Sequence, residues 1–177
     1  KLRELHPDYE PELVNVEAGD TVKTGVFSVE FIRVNHSIAD ACAIALKTPV
    51  GTVFHSGDFK LDLTPIDGDM MDVTRLGELG REGVLLLMCE STNAERPGFT
   101  SSERLVGESF SNLFKKANGH RIIVATFSSN IHRIQQVINE AAKYGRKVAV
   151  SGRSMLNVIS TAMELGYLKM PEGLIID

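Results

Sequence analysis

The chain lacks several things that would place it quickly. No apolar run approaches the roughly 20 residues needed to cross a bilayer, and no secretory leader pattern opens the sequence. Its two cysteines, Cys42 and Cys89, have no metal-type spacing, so they suggest a reducing compartment rather than a disulfide scaffold. There is no excess of basic charge. The formal net charge is −4, which excludes a basic nucleic-acid coat and confines any RNA binding to a local cleft. No internal repeat and no low-complexity tract is visible.

What is present suffices for a packed core. Hydrophobic residues make up 43% of 177 positions, enough for one ordinary domain or parts of two. The chain starts at Lys1-Leu2-Arg3-Glu4-Leu5 without methionine and stops at Leu174-Ile175-Ile176-Asp177, which reads as a strand beginning. Both ends are therefore expected to be cut from a longer protein.

The periodicity changes along the chain. Thr21 to Phe54 reads as antiparallel strands: one long strand over Val22–Val34, a second over Cys42–Lys47 and a third over Thr52–His55. Thr48-Pro49-Val50-Gly51 is a tight turn between the last two. Asp62 to Asp72 reads as loop, with Met70 and Met71 in it. A short helix capped by Asp72 follows over Val73–Arg81.

From Val84 onward strands and helices alternate. Val84-Leu85-Leu86-Leu87-Met88 is continuously apolar, as a strand buried on both faces should be. Thr100-Ser101-Ser102-Glu103 matches a capping box. The helix after it places Leu105, Val106, Phe110, Leu113 and Phe114 on one face. Arg121–Phe127 and Lys147–Val150 read as strands. Helices are expected over Ile131–Ala141 and Ser154–Leu165, ended by Gly145 and Gly166. This βαβα series predicts a mainly parallel sheet. The expected boundary lies in the loop Asn93–Phe99, dividing the chain into 1–98 and 99–177.

Two residues at predicted strand ends bear on chemistry. His36 lies in Val34-Asn35-His36-Ser37-Ile38-Ala39-Asp40, and Asp58 in His55-Ser56-Gly57-Asp58-Phe59-Lys60. Imidazole and carboxylate are zinc ligands, and a hydrolytic zinc keeps a position open for water. Taken singly, His36 is more commonly a half-buried, hydrogen-bonded side chain and Asp58 the Asx-turn after a strand. His55 reads as core packing or as support for Asp58, and Cys89 as a small buried hydrophobe.

The second half offers two strand-to-helix turns, Thr126-Phe127-Ser128-Ser129-Asn130-Ile131-His132-Arg133 and Ser151-Gly152-Arg153-Ser154. Helix N-termini attract phosphate. Ser129, Asn130, His132, Arg153 and Ser154 are thus candidate phosphate or RNA contacts. Plain capping explains Ser129 and Asn130 equally well. Arg153 is harder to explain that way, because a cation is disfavoured at a helix start.

These segments, together with Cys89-Glu90-Ser91-Thr92-Asn93-Ala94-Glu95-Arg96-Pro97-Gly98, resemble the metallo-β-lactamase-fold nucleases of the β-CASP group, in particular the ribonuclease J family. The likeness runs in order over nearly the whole chain. It implies an α/β fold: part of a metallo-β-lactamase αββα sandwich, then part of a β-CASP parallel-sheet domain. It implies that His36 ligates one zinc, that Asp58 bridges two, and that Glu90 lies beside the site and orients a catalytic histidine. The family's His-x-His-x-Asp-His motif is absent from these 177 residues, so the chain would carry two of about seven ligands of a two-zinc site. The likeness further implies a cytoplasmic RNA hydrolase with endo- and exonucleolytic modes, a homo-oligomer when intact, and no membrane partner. The rival readings are a small-molecule hydrolase of the same fold and a non-catalytic RNA- or phosphate-binding module.

Overall fold

A computed structural model describes residue 8 and residues 10–66 and 69–176. The expectations at Lys1–Leu5, Gly68 and Asp177 lie outside the described residues. Four strands, β1 (Thr21–Thr24), β2 (Phe27–Arg33), β3 (Cys42–Thr48) and β4 (Gly51–His55), form an antiparallel meander. Helix α1 (Val73–Glu82) then leads to β5 (Leu86–Met88), which pairs parallel to β4 at the edge of a sheet ordered β1-β2-β3-β4-β5.

The long strand expected over Val22–Val34 is two strands. Thr24 pairs with Phe27 across a two-residue turn, and Gly25 supplies the positive φ (57°) that its first central position needs. The Pro49-Val50 turn joins β3 to β4 as expected, with Thr48 opposite Gly51.

One face of this sheet is the first core. Ile32, Ala43, Ala45 and Phe54 alternate inward and meet Leu79 of α1. Ala43 and Ala45 are the small residues of this face, fully buried in its centre. Met71, expected in open loop, is buried there too, while Met70 is exposed. Asp72 caps α1 by accepting the Arg75 N–H at 2.9 Å. Arg75 then reaches from α1 to β2, where it holds both carboxylate oxygens of Glu30 at 2.5 and 3.0 Å. That contact keeps Glu30 below the usual carboxylate range.

The apolar run before residue 89 departs from expectation. It forms only the short edge strand β5, and Leu85, Leu86, Leu87 and Met88 are all exposed. β5 has one neighbour, β4, and nothing covers its outer side among the described residues.

The second core is separate. It is built by α3 (Ile131–Lys143), α4 (Arg153–Glu164) and the parallel pair β6 (Val148–Ala149) and β7 (Ile175–Ile176), around Ile131, Ile134, Ile138, Ile159 and Leu174. Helix α2 (Glu103–Lys116) packs on α3. Gly107 of α2 faces Gln136 of α3, where a Cβ would stand 2.9 Å from the movable Gln136 Oε1. Ser102, not Thr100, is the α2 N-cap, accepting the Arg104 N–H at 3.3 Å. The buried stripe of α2 runs through Val106, Phe110 and Phe114, whereas Leu105 and Leu113 face outward. The expected strand Arg121–Phe127 has no ladder partner, so it is extended but belongs to no sheet, and Ile123 and Phe127 are 88% and 82% exposed. No helix among the described residues is long and apolar enough to cross a membrane.

Candidate functional site

Asn35 organises the first half of the site. Its buried amide donates to the Asp69 carbonyl at 2.7 Å and accepts the Met71 N–H at 2.9 Å. Its own carbonyl accepts the Lys60 N–H at 2.7 Å. The loop after β2, which carries His36, is thereby tied to the loop after β4, which carries Asp58. A buried amide satisfied at both ends has one geometry, so these loops are held rather than merely adjacent.

Gly57 turns the chain into Asp58. Its φ is +59°, and a Cβ there would sit 3.1 Å from the Cys42 carbonyl oxygen, so backbone and space both favour glycine. His55 is exposed rather than core-packed, and its Nδ1 accepts the Gly57 N–H at 3.0 Å, so it shapes the same turn. Ser56 is buried at the junction with β5. Its backbone N–H bonds the Met88 carbonyl, and its hydroxyl accepts the Glu90 N–H at 3.0 Å and donates to the Gly57 carbonyl at 2.6 Å. Cys89, expected to be buried, is exposed.

His36 Nε2 consequently lies 4.0 Å from Asp58 Oδ2, with the imidazole 34% and the carboxylate 73% exposed. Glu90 stands beside them. The N–H and hydroxyl of Thr92 hold its carboxyl below the usual range, with further help from the Phe59 N–H and the His36 ring. Glu90 is therefore a standing acceptor on the rim of the site.

The donor pair meets only the outer limit of a simple distance test for zinc. Two donors each about 2.1 Å from one ion can be no more than about 4.2 Å apart, and about 3.4 Å in a tetrahedron. His36 and Asp58 lie within the first limit and need a small closure to reach the second. Among the described residues no third His, Cys, Asp or Glu joins them in a group able to hold a metal. The pair can supply two corners of a coordination sphere and no more.

A cleft of about 640 Å³ opens in front of the pair. Its far wall is the start of α3, with Phe127, Asn130, His132 and Arg133. Of the expected phosphate contacts, Asn130 and His132 line this cleft. The Asn130 Oδ1 also caps α3 by accepting the Arg133 N–H at 3.0 Å. Ser129, Arg153 and Ser154 are exposed and lie off the cleft lining. The two turns are nonetheless neighbours, since the Ser128 and Ser154 hydroxyls are 3.0 Å apart. Gly152 precedes α4 at φ +107°, and no side chain caps that helix.

Four cleft residues escaped the sequence reading: Lys60, Asp62, Glu103 and Arg133. Asp62 is 7% exposed and reaches across to α2, accepting the Glu103 N–H at 3.2 Å and the Thr64 N–H at 3.0 Å. Burial alone would raise its carboxyl. The N–H groups of Thr64 and Glu103 and the Ser102 hydroxyl outweigh that and hold it low. A charged pair two and four residues beyond a suspected ligand was the available signal.

A mixed α/β chain with donors in the loops after β2 and β4, two strands separated by β3, followed by a β-α-β unit across a cleft, is a fragment of the metallo-β-lactamase/β-CASP fold. Residues 119–177 match the family described as "Ribonuclease J, beta-CASP domain". The chain is 48% identical over 177 residues to a Synechocystis ribonuclease J, covering 99% of this chain and 28% of that protein. It is 46% identical over 174 residues to the Thermus thermophilus ribonuclease J (98% and 28%) and 45% identical over 167 residues to that of Mycobacterium tuberculosis (94% and 30%). A crystal structure of an Enterococcus faecalis protein of unknown function superposes with a TM-score of 0.66 over 95% of this chain and 42% of its own, at 18% identity, which shows the fold alone. The chain belongs to the ribonuclease J family. It spans about 28% of the length of the Synechocystis and Thermus relatives.

Proposed function

We propose that the intact protein is a zinc-dependent ribonuclease that hydrolyses RNA phosphodiester bonds, with both endonucleolytic and 5′-exonucleolytic modes. The observation that carries this reading is the 4.0 Å approach of His36 Nε2 to Asp58 Oδ2 on the wall of a cleft whose other wall is a helix N-terminus bearing His132 and Arg133. His36 and Asp58 would hold zinc, with Asp58 as the bridge between two ions. When bound, the metal supplies Lewis acidity toward the phosphate and activates water.

This chain's own residues do the rest. Asn35 and Lys60 keep the two ligand-bearing loops in register. Glu90, ionised at neutral pH, accepts a hydrogen bond and so orients a neighbouring donor such as an imidazole. The N-terminus of α3, with His132, is a place for backbone phosphate, while the Arg133 guanidinium is held by Glu103 and fixes that turn. Ser154 and Arg153 lie beside the Ser128 turn and extend the same surface outward, where the RNA strand would leave. The reading includes a cytoplasmic location and a homo-oligomer.

The full-length protein tests this. It should cleave 5′-phosphorylated RNA, lose that activity with a chelator and regain it with zinc. Asp58→Ala should reduce the rate by about a thousandfold, since a bridging ligand acts on both ions. The 177-residue chain alone should be inactive or nearly so. RNA cleavage by full-length protein that persists in Asp58→Ala and in chelator defeats the proposal.

A further inference from the structure

An unbroken series of charged side chains crosses from the first core to the second at the base of the cleft. Lys60 is the residue whose N–H ties the Asp58 loop to Asn35. Its Nζ lies 3.9 Å from Asp62 Oδ2 and 3.8 Å from Glu103 Oε1. That Nζ is sealed from solvent and has no hydrogen-bond partner among the described residues. Glu103, the first residue of α2, accepts Arg133 Nη2 at 2.7 and 2.9 Å on its two oxygens. Arg133 follows His132 in the first turn of α3. Asp62 completes the circuit by accepting the Glu103 N–H.

A buried ion pair is an expensive source of stability, because desolvation cancels much of the Coulomb gain. What it does supply is a fixed distance between the elements that carry the charges. Lys60 is attached to the metal-ligand loop, Glu103 to α2, and Arg133 to the turn that presents His132. If the Lys60 loop moves away from Asp62 and Glu103, a buried ammonium loses its compensating charge. Displacement of these loops across the cleft is therefore opposed.

We propose that Lys60, Asp62, Glu103 and Arg133 form an ionic clamp that sets the spacing between the Asp58 loop and the His132 turn, with Lys60 as its positioning residue. The proposal rests on the ribonuclease reading for its catalytic consequence, while the clamp itself can be observed without it.

The test uses the full-length protein carrying Lys60→Met, Glu103→Gln, both together, and Lys60→Arg. In each single neutral variant kcat for RNA cleavage should fall about tenfold or more, with KM within about twofold, because misplacement of reacting groups acts on the turnover step. The double variant should be no worse than the worse single, since both remove one coupling. Lys60→Arg should restore most of the rate. Hydrogen exchange at the backbone amides of residues 58–62 and 103–105 should accelerate together in Lys60→Met. An unchanged kcat in Glu103→Gln, multiplying effects in the double variant, or exchange equal to wild type overturns the clamp. If Lys60→Met does not fold, Glu103→Gln and Lys60→Arg decide it by the same criteria. If the wild type does not cleave RNA, the ribonuclease reading falls, and exchange alone then judges the clamp.

Discussion

The two walls of the cleft are held in different ways. On the first, the Asn35 carbonyl ties the His36 loop to the Asp58 loop at Lys60, the buried Asn35 amide anchors the His36 loop to Asp69 and Met71, and the Ser56 hydroxyl and Gly57 shape the turn into Asp58. On the second, Asn130 is buried and spends its oxygen on capping α3, and Glu103 holds Arg133 on both oxygens, while Ser129, Arg153 and Ser154 stand in solvent beyond the cleft lining. The held loops of the first wall suit the proposed metal ligation, which would need donors fixed in place. The solvent-facing residues beyond the second wall have the looser make-up that suits the proposed contact with a flexible, multiply charged strand.

This contrast can be broken experimentally, beginning with the most rigid point. Asn35→Ala should destabilise the protein by about 2–3 kcal/mol, because it strands the Met71 N–H and the Asp69 carbonyl. A urea melt checks it, and a loss below about 0.5 kcal/mol would mean that the loops are held by something else. Arg75→Met should cost about 1–2 kcal/mol by freeing Glu30 from its bidentate partner, reduced by the partial exposure of the pair. That loss should leave RNA cleavage per folded molecule unchanged, since Arg75 lies on α1 and not at the cleft.

The Asp62 contact makes a smaller, pH-dependent difference. Its carboxyl is depressed in the folded protein, so its contribution is present in full above the ordinary aspartate pKa and is lost as pH falls through the lower folded value. Stability curves of wild type and Asp62→Asn should therefore converge on acidification below about pH 4. Curves that stay parallel down to strong acid would show that Asp62 does not titrate with folding. The smallest effect belongs to the exposed surface beyond the cleft. Arg153→Ala should weaken RNA binding by only a few-fold, reduce its salt dependence by about one phosphate contact, and leave stability unchanged. A loss as large as that of Asp58→Ala would make this outer surface as finely built as the first wall.

Much of the architecture was legible from residue order. The 3.6-residue spacing of Ile131, Ile134, Ile138 and Ala141 marks α3 correctly, and Asp72 and Pro49-Val50 mark a cap and a turn where they occur. The errors share a cause. Whether Arg121–Phe127 joins a sheet, or Leu85–Met88 is covered, depends on a neighbour elsewhere in the chain, and an apolar run says nothing of that neighbour. Leu105 and Leu113 lie on a plausible helical face, but Gly107 and Gln136 set the true contact one residue further round.

For the site, residue type at strand ends made His36 and Asp58 candidates, and the family resemblance gave them weight and added Glu90. The ionic bridge through Lys60, Asp62, Glu103 and Arg133 was not readable in that way. Charge type is a property of a single residue, and so is a tendency to turn or to cap. Pairing between residues about 30 and 40 positions apart arises only when distant segments dock, since Coulomb attraction acts through space and not along the chain.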